Sequence, residues 1–329
     1  MAVIKEKFLD YLDSFKDKNV LIVGDVMIDS YMWGNATRIS PEAPIPIVSV
    51  TNKDYRLGGA ANVALNISAL SATPYLCSVI GTDQYSLIFK DLLRENIMSE
   101  EGIICCDTRT TTVKTRIISN GQQLLRVDEE IETDLSEKLT LELFSKIKEV
   151  VKKHSIDVII FEDYDKGIIT PLLIEKITKL AGESDILTTV DPKKKNFKFY
   201  KNVDLFKPNF LEFTEGLKVD INKSDISKIT NYAVDFLKNN NIRNLLVTLS
   251  EFGILISNES GNFHYPAMLR QIADVSGAGD TVISVASLLF ASGASAEEIA
   301  EISNIAGGLV CGKVGVVPIK TEDLKSFFV

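Results

Sequence analysis

The sequence predicts an α/β fold in which a mainly parallel sheet is covered by helices and a small β-rich unit stands beside it. Three observations carry that expectation. Short apolar runs alternate with amphipathic stretches over most of the 329 residues, the pattern of parallel strands joined by helices. Around residues 103–130 the alternation gives way to short β-rich segments separated by turn residues such as Asn120-Gly121. Several expected strands end on polar residues, namely Asp29, Asp163, Asp191, Asn209 and Thr248 to Ser250. Ligands of such sheets gather at the carboxyl ends of the strands.

The elements follow in chain order. "NVLIVGDVMID" is an apolar run that stops at Gly and Asp, a buried strand with a functional loop at its end. "PIPIVSV" alternates, and Pro44 and Pro46 suit an edge strand or a lid. "GGAANVALNISALSA" opens on glycines and continues as a helix of small and apolar residues. "TPYLCSVIG" reads as a strand and "DQYSLIFKDLLREN" as an amphipathic helix. "EGIICCD", "TTTVKTRIIS" and "QQLLRVD" form the small antiparallel excursion. Helices and strands then alternate from "LTLELFSKIKEVVKK" through "DVIIFEDY", "PLLIEKITKLA", "ILTTVDP", "VDLFKPN" and "DISKITNYAVDFLKNN" to "NLLVTLSEFG".

Composition narrows the function classes. A hydrophobic content of 45% supports one large domain or two small ones, and no repeat, low-complexity tract or Gly/Ser linker marks a second unit. A net charge of −9 argues against nucleic acid as the main partner, though not against phosphate held in a local pocket. Cys77, Cys105, Cys106 and Cys311 lack CxxC spacing and read as buried reduced thiols. The first residues carry charges throughout, and "TVISVASLLFASGA" is too short for a bilayer span. The expectation is a soluble cytoplasmic protein with no membrane partner.

Chemistry concentrates in "ADVSGAGDTVISVASLLFASG", where Asp274 and Asp280 flank Gly277-Ala278-Gly279 at the start of an apolar helix. A helix N-terminus offers unpaired N–H groups and partial positive charge, and glycine lets an anion approach them closely. The turn therefore suits a transferring phosphoryl group. Asp280 in the first turn is either a simple partner of the helix dipole or a base that takes the proton of a substrate hydroxyl. Position alone does not separate these roles. A dinucleotide-binding dehydrogenase is disfavoured, because "IVGDVMID" has no G-x-G-x-x-G after its strand.

D-x-x-G-A-G-D, here Asp274 to Asp280, resembles the C-terminal signature of the ribokinase (PfkB-type) sugar kinases. "GGAANVALNISALSA" is similar to that family's N-terminal glycine signature, "KPNFLEF" to its N-x-x-E element and "VTLSEFG" to its T-x-S-x-x-G phosphate loop. "GDVMIDSYMWGNATRISPEAPIPIV", "KTRIISNGQQLLRVD", "DYDKG" and "DVSGAGDTV" resemble the members that phosphorylate D-glycero-D-manno-heptose 7-phosphate. The resemblance implies a single ribokinase-like domain over 1–329, three layers α/β/α with a small β-sheet lid from about 30–57 and 103–130. It implies ATP-dependent phosphorylation of D-glycero-β-D-manno-heptose 7-phosphate at the 1-hydroxyl. Heptose 1,7-bisphosphate would then feed ADP-heptose and lipopolysaccharide core synthesis. Such kinases are often fused to a nucleotidyltransferase with an H-x-G-H motif. This chain has only His154 and His264, so the expectation is a kinase without that domain, served by a separate nucleotidyltransferase downstream. Homodimers paired through the lid are also implied, which would cover sticky strand edges.

The same resemblance assigns roles. Asp280 is the base, and Gly277, Ala278 and Gly279 are the anion hole. Asn209 and Glu212 organise Mg²⁺, or else merely cap a helix. Thr248, Ser250, Gly253 and Asp274 serve the ATP phosphates, although hydroxyls and glycine also suit a plain turn. Asn304 and Gly308 lie beside adenine, or serve helix packing. Asp29, Gly58, Gly59 and Asn62 hold the sugar hydroxyls, and each alone reads equally as a turn or cap residue. Lys166, with Arg116, Arg126 and Lys114, meets the sugar's own phosphate, and Gln122 and Gln123 reach in from the lid. Monovalent-cation use is left open. Asp165 and Glu162 depart from the family pattern, which has small residues there, and Lys207 is a further phosphate contact. The rival readings are another sugar, sugar-phosphate or nucleoside kinase of this family, and a non-catalytic nucleotide sensor.

Overall fold

The computed structural model describes residues 2–267, 274–313 and 315–328. Its strands are β1 (Asn19–Gly24), β2 (Val26–Ile39), β3 (Pro46–Gly59), β4 (Thr73–Ile80), β5 (Ile103–Cys105), β6 (Val113–Ser119), β7 (Gln122–Glu129), β8 (Val158–Glu162), β9 (Leu187–Asp191), β10 (Leu205–Phe206), β11 (Asn244–Thr248), β12 (Ile254–Asn258) and β13 (Gly261–Tyr265). The helices are α1 (Ala2–Phe15), α2 (Ala60–Ala69), α3 (Gln84–Glu95), α4 (Glu137–Lys153), α5 (Pro171–Ser184), α6 (Phe210–Leu217), α7 (Ile226–Asn240), α8 (Ala278–Ala291), α9 (Ala296–Cys311) and α10 (Thr321–Phe328).

Nine strands form one sheet in the order β13-β12-β11-β10-β9-β8-β1-β4-β5 among the described residues. Every pair from β5 to β11 is parallel, and β12 and β13 add an antiparallel edge. Alternation along each strand feeds two cores. Val20 and Ile22 point to the layer holding α1, α2, α3, α8, α9 and α10, while Leu21 and Val23 point to the layer of α4, α5, α6 and α7. The three-layer α/β/α expectation is thus realised. Burial on both faces explains why the strands read as continuous apolar runs rather than alternating ones.

Side chains cap most of the helices, with Asp83, Ser136, Thr170, Asn209, Asp225 and Ser295 each accepting a backbone N–H at a helix start. Each such cap is worth about 1 kcal/mol. Two helices differ. α2 begins on Gly59 (φ +59°) and α8 on Gly277 (φ +78°), neither with a side-chain cap. Both starts face the carboxyl ends of the parallel strands.

The second sheet has the order β3-β2-β6-β7. Its β6–β7 hairpin turns on Asn120 (φ +51°) and Gly121 (φ +77°), the left-handed pair that a two-residue turn requires. β3 lies at the edge, as its prolines lead one to expect. The sheet differs from the expected excursion in two respects. β2 and β6 pair in parallel, and β5 leaves the unit altogether to lie beside β4 in the large sheet. Cysteine placement also differs: all four thiols are free, but only Cys77 is buried, and Cys105 is exposed. Burial pushes the Cys77 thiol up to about 12, which leaves it inert. Among the described residues no helix is long and apolar enough to cross a membrane.

Candidate active site

The site is built where β1, β8, β9 and β10 end. β1 ends on Gly24, where only glycine fits because a Cβ would meet the Glu162 carbonyl oxygen at 1.9 Å. Asp25 follows and is buried. Its carboxylate accepts the backbone N–H groups of Tyr164 (2.7 Å), Lys166 (3.2 Å) and Ile168 (3.0 Å), which fixes the turn after β8. Burial raises the pKa of Asp25, and these three bonds work against that rise. Within the turn, Asp165 takes a left-handed conformation (φ +57°), the physical reason a small residue suits this position better.

The ordered turn presents Tyr164 to α8. Its hydroxyl donates to Asp280 Oδ1 at 2.8 Å, and Asn62 Nδ2 on α2 donates to Oδ2 at 2.6 Å. Asp280 is 6% exposed. Its pKa is raised by burial first and by Asp191, against the pull of the two donors and of Lys207. A buried aspartate of this kind is a stronger base than one in water. Asn66 secures the arrangement, because its Oδ1 accepts from the Thr281 hydroxyl (3.1 Å) and from Ile319 N (3.0 Å).

The glycine turn is held from behind. Asp274 accepts Ser276 N (2.9 Å) and Gly315 N (3.1 Å). Burial opposes its ionisation, but these amides outweigh it and keep its pKa below the usual carboxylate range. The Ala278 N–H makes a long 3.3 Å bond to the Val275 carbonyl, whereas the amides of Gly277, Gly279 and Asp280 have no backbone partner among the described residues. A Cβ on Gly279 would sit 3.7 Å from both Lys207 Nζ and Asp191 Oδ2, so the turn looks directly at that ion pair.

Lys207 is 2% exposed and lies 2.8 Å from Asp191. Oxygens of Glu162, Asp191 and Asp280 all fall within 4.8 Å of one another, an oxygen-only set of the kind that holds Mg²⁺ or Ca²⁺. Both Glu162 oxygens and Asp191 Oδ1 are buried without a hydrogen-bond partner. Asn209 and Glu212 form a reciprocal capping box on α6, with Asn209 Oδ1 accepting Glu212 N and Glu212 Oε2 accepting Asn209 N. The other Glu212 oxygen accepts a bond from Lys193. In this arrangement neither residue offers the unfilled oxygens that the carboxylate trio does.

The remaining expected residues surround this centre. Thr248 ends β11 and pairs with Asn209, while Ser250 (φ +52°) and Gly253 (φ +87°) form the following tight turn. Only glycine fits at 253, where a Cβ would meet the Tyr265 carbonyl oxygen at 1.9 Å. Asn304 on α9 donates to the Pro266 carbonyl (2.9 Å), and Gly308 lies on the same helix. On the lid side, Asp29 accepts from Arg116 at 2.5 Å, and a Cβ on Gly58 would touch its carboxylate. Arg56 and Arg116 both stack over Tyr31. Gln122 opens β7 in an exposed position. Lys166 does not stand free: it pairs with Glu130 (2.8 Å) and Glu132 (2.5 Å), and Arg126 pairs with Asp128 (2.9 Å). A surface recess of about 1160 Å³ lies elsewhere, along α5 and residues 198–204 at the opposite strand ends, and none of the expected site residues lines it.

Asp25, Asn66 and Tyr164 were not singled out by sequence reasoning. Two of them had a signal: a carboxylate directly after a strand-ending glycine, and a second asparagine one helical turn beyond Asn62.

Comparison with known proteins gives the family and the fold. Residues 17–322 match the pfkB family carbohydrate kinase profile. The bifunctional protein HldE of Helicobacter pylori strain J99 is 36% identical over 309 residues, covering 93% of this chain and 65% of that protein. HldE of Aliarcobacter butzleri is 35% identical, covering 95% of this chain and 64% of that protein. The chain thus spans about two thirds of the length of these curated relatives. Among solved structures, Escherichia coli phosphofructokinase-2 in complex with potassium superposes with a TM-score of 0.77 at 17% identity, over 94% of this chain and 98% of that one. Arabidopsis thaliana ribokinase with ribose and ATP gives 0.71 at 15% identity, over 94% and 98%. These likenesses show a ribokinase-like fold. The match over residues 17–322 shows that the chain belongs to the pfkB family of carbohydrate kinases.

Proposed function

We propose that the chain transfers the γ-phosphoryl group of ATP to the 1-hydroxyl of D-glycero-β-D-manno-heptose 7-phosphate. The product is heptose 1,7-bisphosphate, on which a nucleotidyltransferase acts next towards ADP-heptose and lipopolysaccharide core, in the cytoplasm. The observation that carries the reading is Asp280, buried and held by Asn62 and Tyr164 beside open helix-start amides. Asp280 takes the hydroxyl proton, and the freed oxygen attacks phosphorus in line. The Gly277 and Gly279 amides and Lys207 receive the charge that develops on the moving group. Asp29, Gly58 and Asn62 orient the sugar. Thr248, Ser250 and Gly253 hold the nucleotide phosphates. Mg²⁺ would be held through water near Asn209 and Glu212, whose own oxygens are engaged in the capping box and with Lys193, and would supply charge neutralisation there. The second sheet closes over the sugar and excludes water.

A coupled ADP-release assay tests the acceptor. Heptose 7-phosphate is expected to give the highest kcat/KM in a panel with fructose 6-phosphate, ribose and adenosine, run in sodium and in potassium buffers. A second reading rests on Lys166, whose charge is already matched by Glu130 and Glu132. That pairing favours an acceptor without a terminal phosphate, and a ribose or nucleoside preference would establish it in place of the first.

The lid carries exposed apolar side chains at Ile39, Ile45, Val50, Leu125 and Val127. A second copy paired through the lids would cover them. Light scattering is expected to give twice the 36.4 kDa chain mass, and a stable monomer would refute the dimer.

A further inference from the structure

Glu162 has no evident place in the mechanism above. It ends β8 in the middle of the sheet, is 0% exposed, and neither of its oxygens has a hydrogen-bond partner. A buried ionised carboxylate without a partner is not tolerated unless something neutralises it. Its neighbours make the imbalance larger. Asp191 (4% exposed) and Asp280 (6% exposed) bring two more carboxylates, and Asp191 Oδ1 is also unpartnered. Lys207 is the cation bonded to the trio, through Asp191 Oδ2. Lys193 is near but bonded to Glu212. With all three carboxylates ionised, the Lys207 ammonium leaves a deficit of two positive charges, the charge of one divalent ion; a proton on Glu162 is the alternative way to reduce it.

The geometry fits such an ion. Three oxygens within 4.8 Å of one another share a centre at most about 2.8 Å from each, so a small contraction brings them to the roughly 2.3–2.6 Å of Ca²⁺–O contacts and a larger one to the about 2.1 Å of Mg²⁺–O. The donors are all hard oxygens, which excludes the thiolate- and imidazole-preferring metals.

We propose that Glu162, Asp191 and Asp280 form a divalent-cation site that fills in the absence of nucleotide, with Glu162 as the ligand that creates it. The site is distinct from the Asn209 and Glu212 position. Its occupancy does not depend on the identity of the sugar; only the further role of Asp280 rests on the kinase reading.

The test is a titration of the full chain with Mn²⁺ in nucleotide-free buffer, following loss of the free-ion signal by electron paramagnetic resonance. The wild-type chain is expected to bind one Mn²⁺ tightly, and its Tm is expected to rise with added Mn²⁺. Glu162→Gln and Glu162→Ser are each expected to weaken that binding at least about tenfold and to lose the Tm rise, while unfolding normally in EDTA. Should one of the two variants fail to fold, the other carries the comparison. No bound Mn²⁺ on the wild type at millimolar concentration would overturn the site, with protonated Glu162 as the remaining explanation of the burial. Unchanged affinity in the folded variants would overturn it as well. Mn²⁺ binding without any sugar phosphorylation would remove the kinase reading and keep the cation site. Phosphorylation without Mn²⁺ binding would do the reverse.

Discussion

Asp280→Asn is expected to lower kcat by about 10³-fold, equivalent to about 4 kcal/mol of transition-state stabilisation. ATP affinity should change less than threefold, because the amides of the glycine turn and the Thr248 to Gly253 segment are untouched. The substitution is sterically mild. Asparagine keeps one acceptor oxygen for Tyr164 or Asn62, and Asn62 can rotate to present its own Oδ1, which is buried without a partner. Loss of one carboxylate from a buried trio should also leave the fold at least as stable. Steady-state turnover and nucleotide titration on the same preparation check both halves. Turnover within tenfold of wild type would show that Asp280 only braces the start of α8.

The second large effect falls on stability as well as rate. Lys207→Met keeps the length of the side chain but removes the ammonium from Asp191. Breaking a buried pair in this way costs about 3–5 kcal/mol, because the remaining charge has lost its counter-ion. Urea denaturation in EDTA measures it, and the midpoint is expected to fall while the slope stays constant. Adding Asp191→Leu to the same variant should recover most of the loss, since two apolar groups then replace the pair. Turnover should fall by about 10²–10³-fold, the usual consequence of removing one donor from a charge-stabilising hole. A stability loss below about 1 kcal/mol would mean that water, not Lys207, solvates Asp191.

Much of the fold was legible in the sequence for one reason: burial on both sheet faces turns parallel strands into apolar runs that end abruptly. The runs at 19–24 and 158–162 are of this kind. β5 was misplaced because three residues carry too little pattern to name a partner strand. The parallel pairing of β2 with β6 was invisible, since it joins segments that no periodicity relates. Asp280 and Asn62 were legible because each sits on a glycine-led helix start, a local feature. Asp25, Asn66 and Tyr164 were not, because their roles exist only across contacts of 100 residues or more. Glu212 carried two sequence readings, cap and metal organiser. In the fold it closes the capping box and also accepts a bond from Lys193. For Lys166 the partners Glu130 and Glu132 lie more than thirty residues away.

Asn66 bonds to Ile319, and Asp274 bonds to Gly315. Helix α2 and the turn that opens α8 are therefore tied to one short segment, Gly315 to Ile319, which lies between α9 and α10. Loosening that segment would release both supports of the Asp280 pocket together.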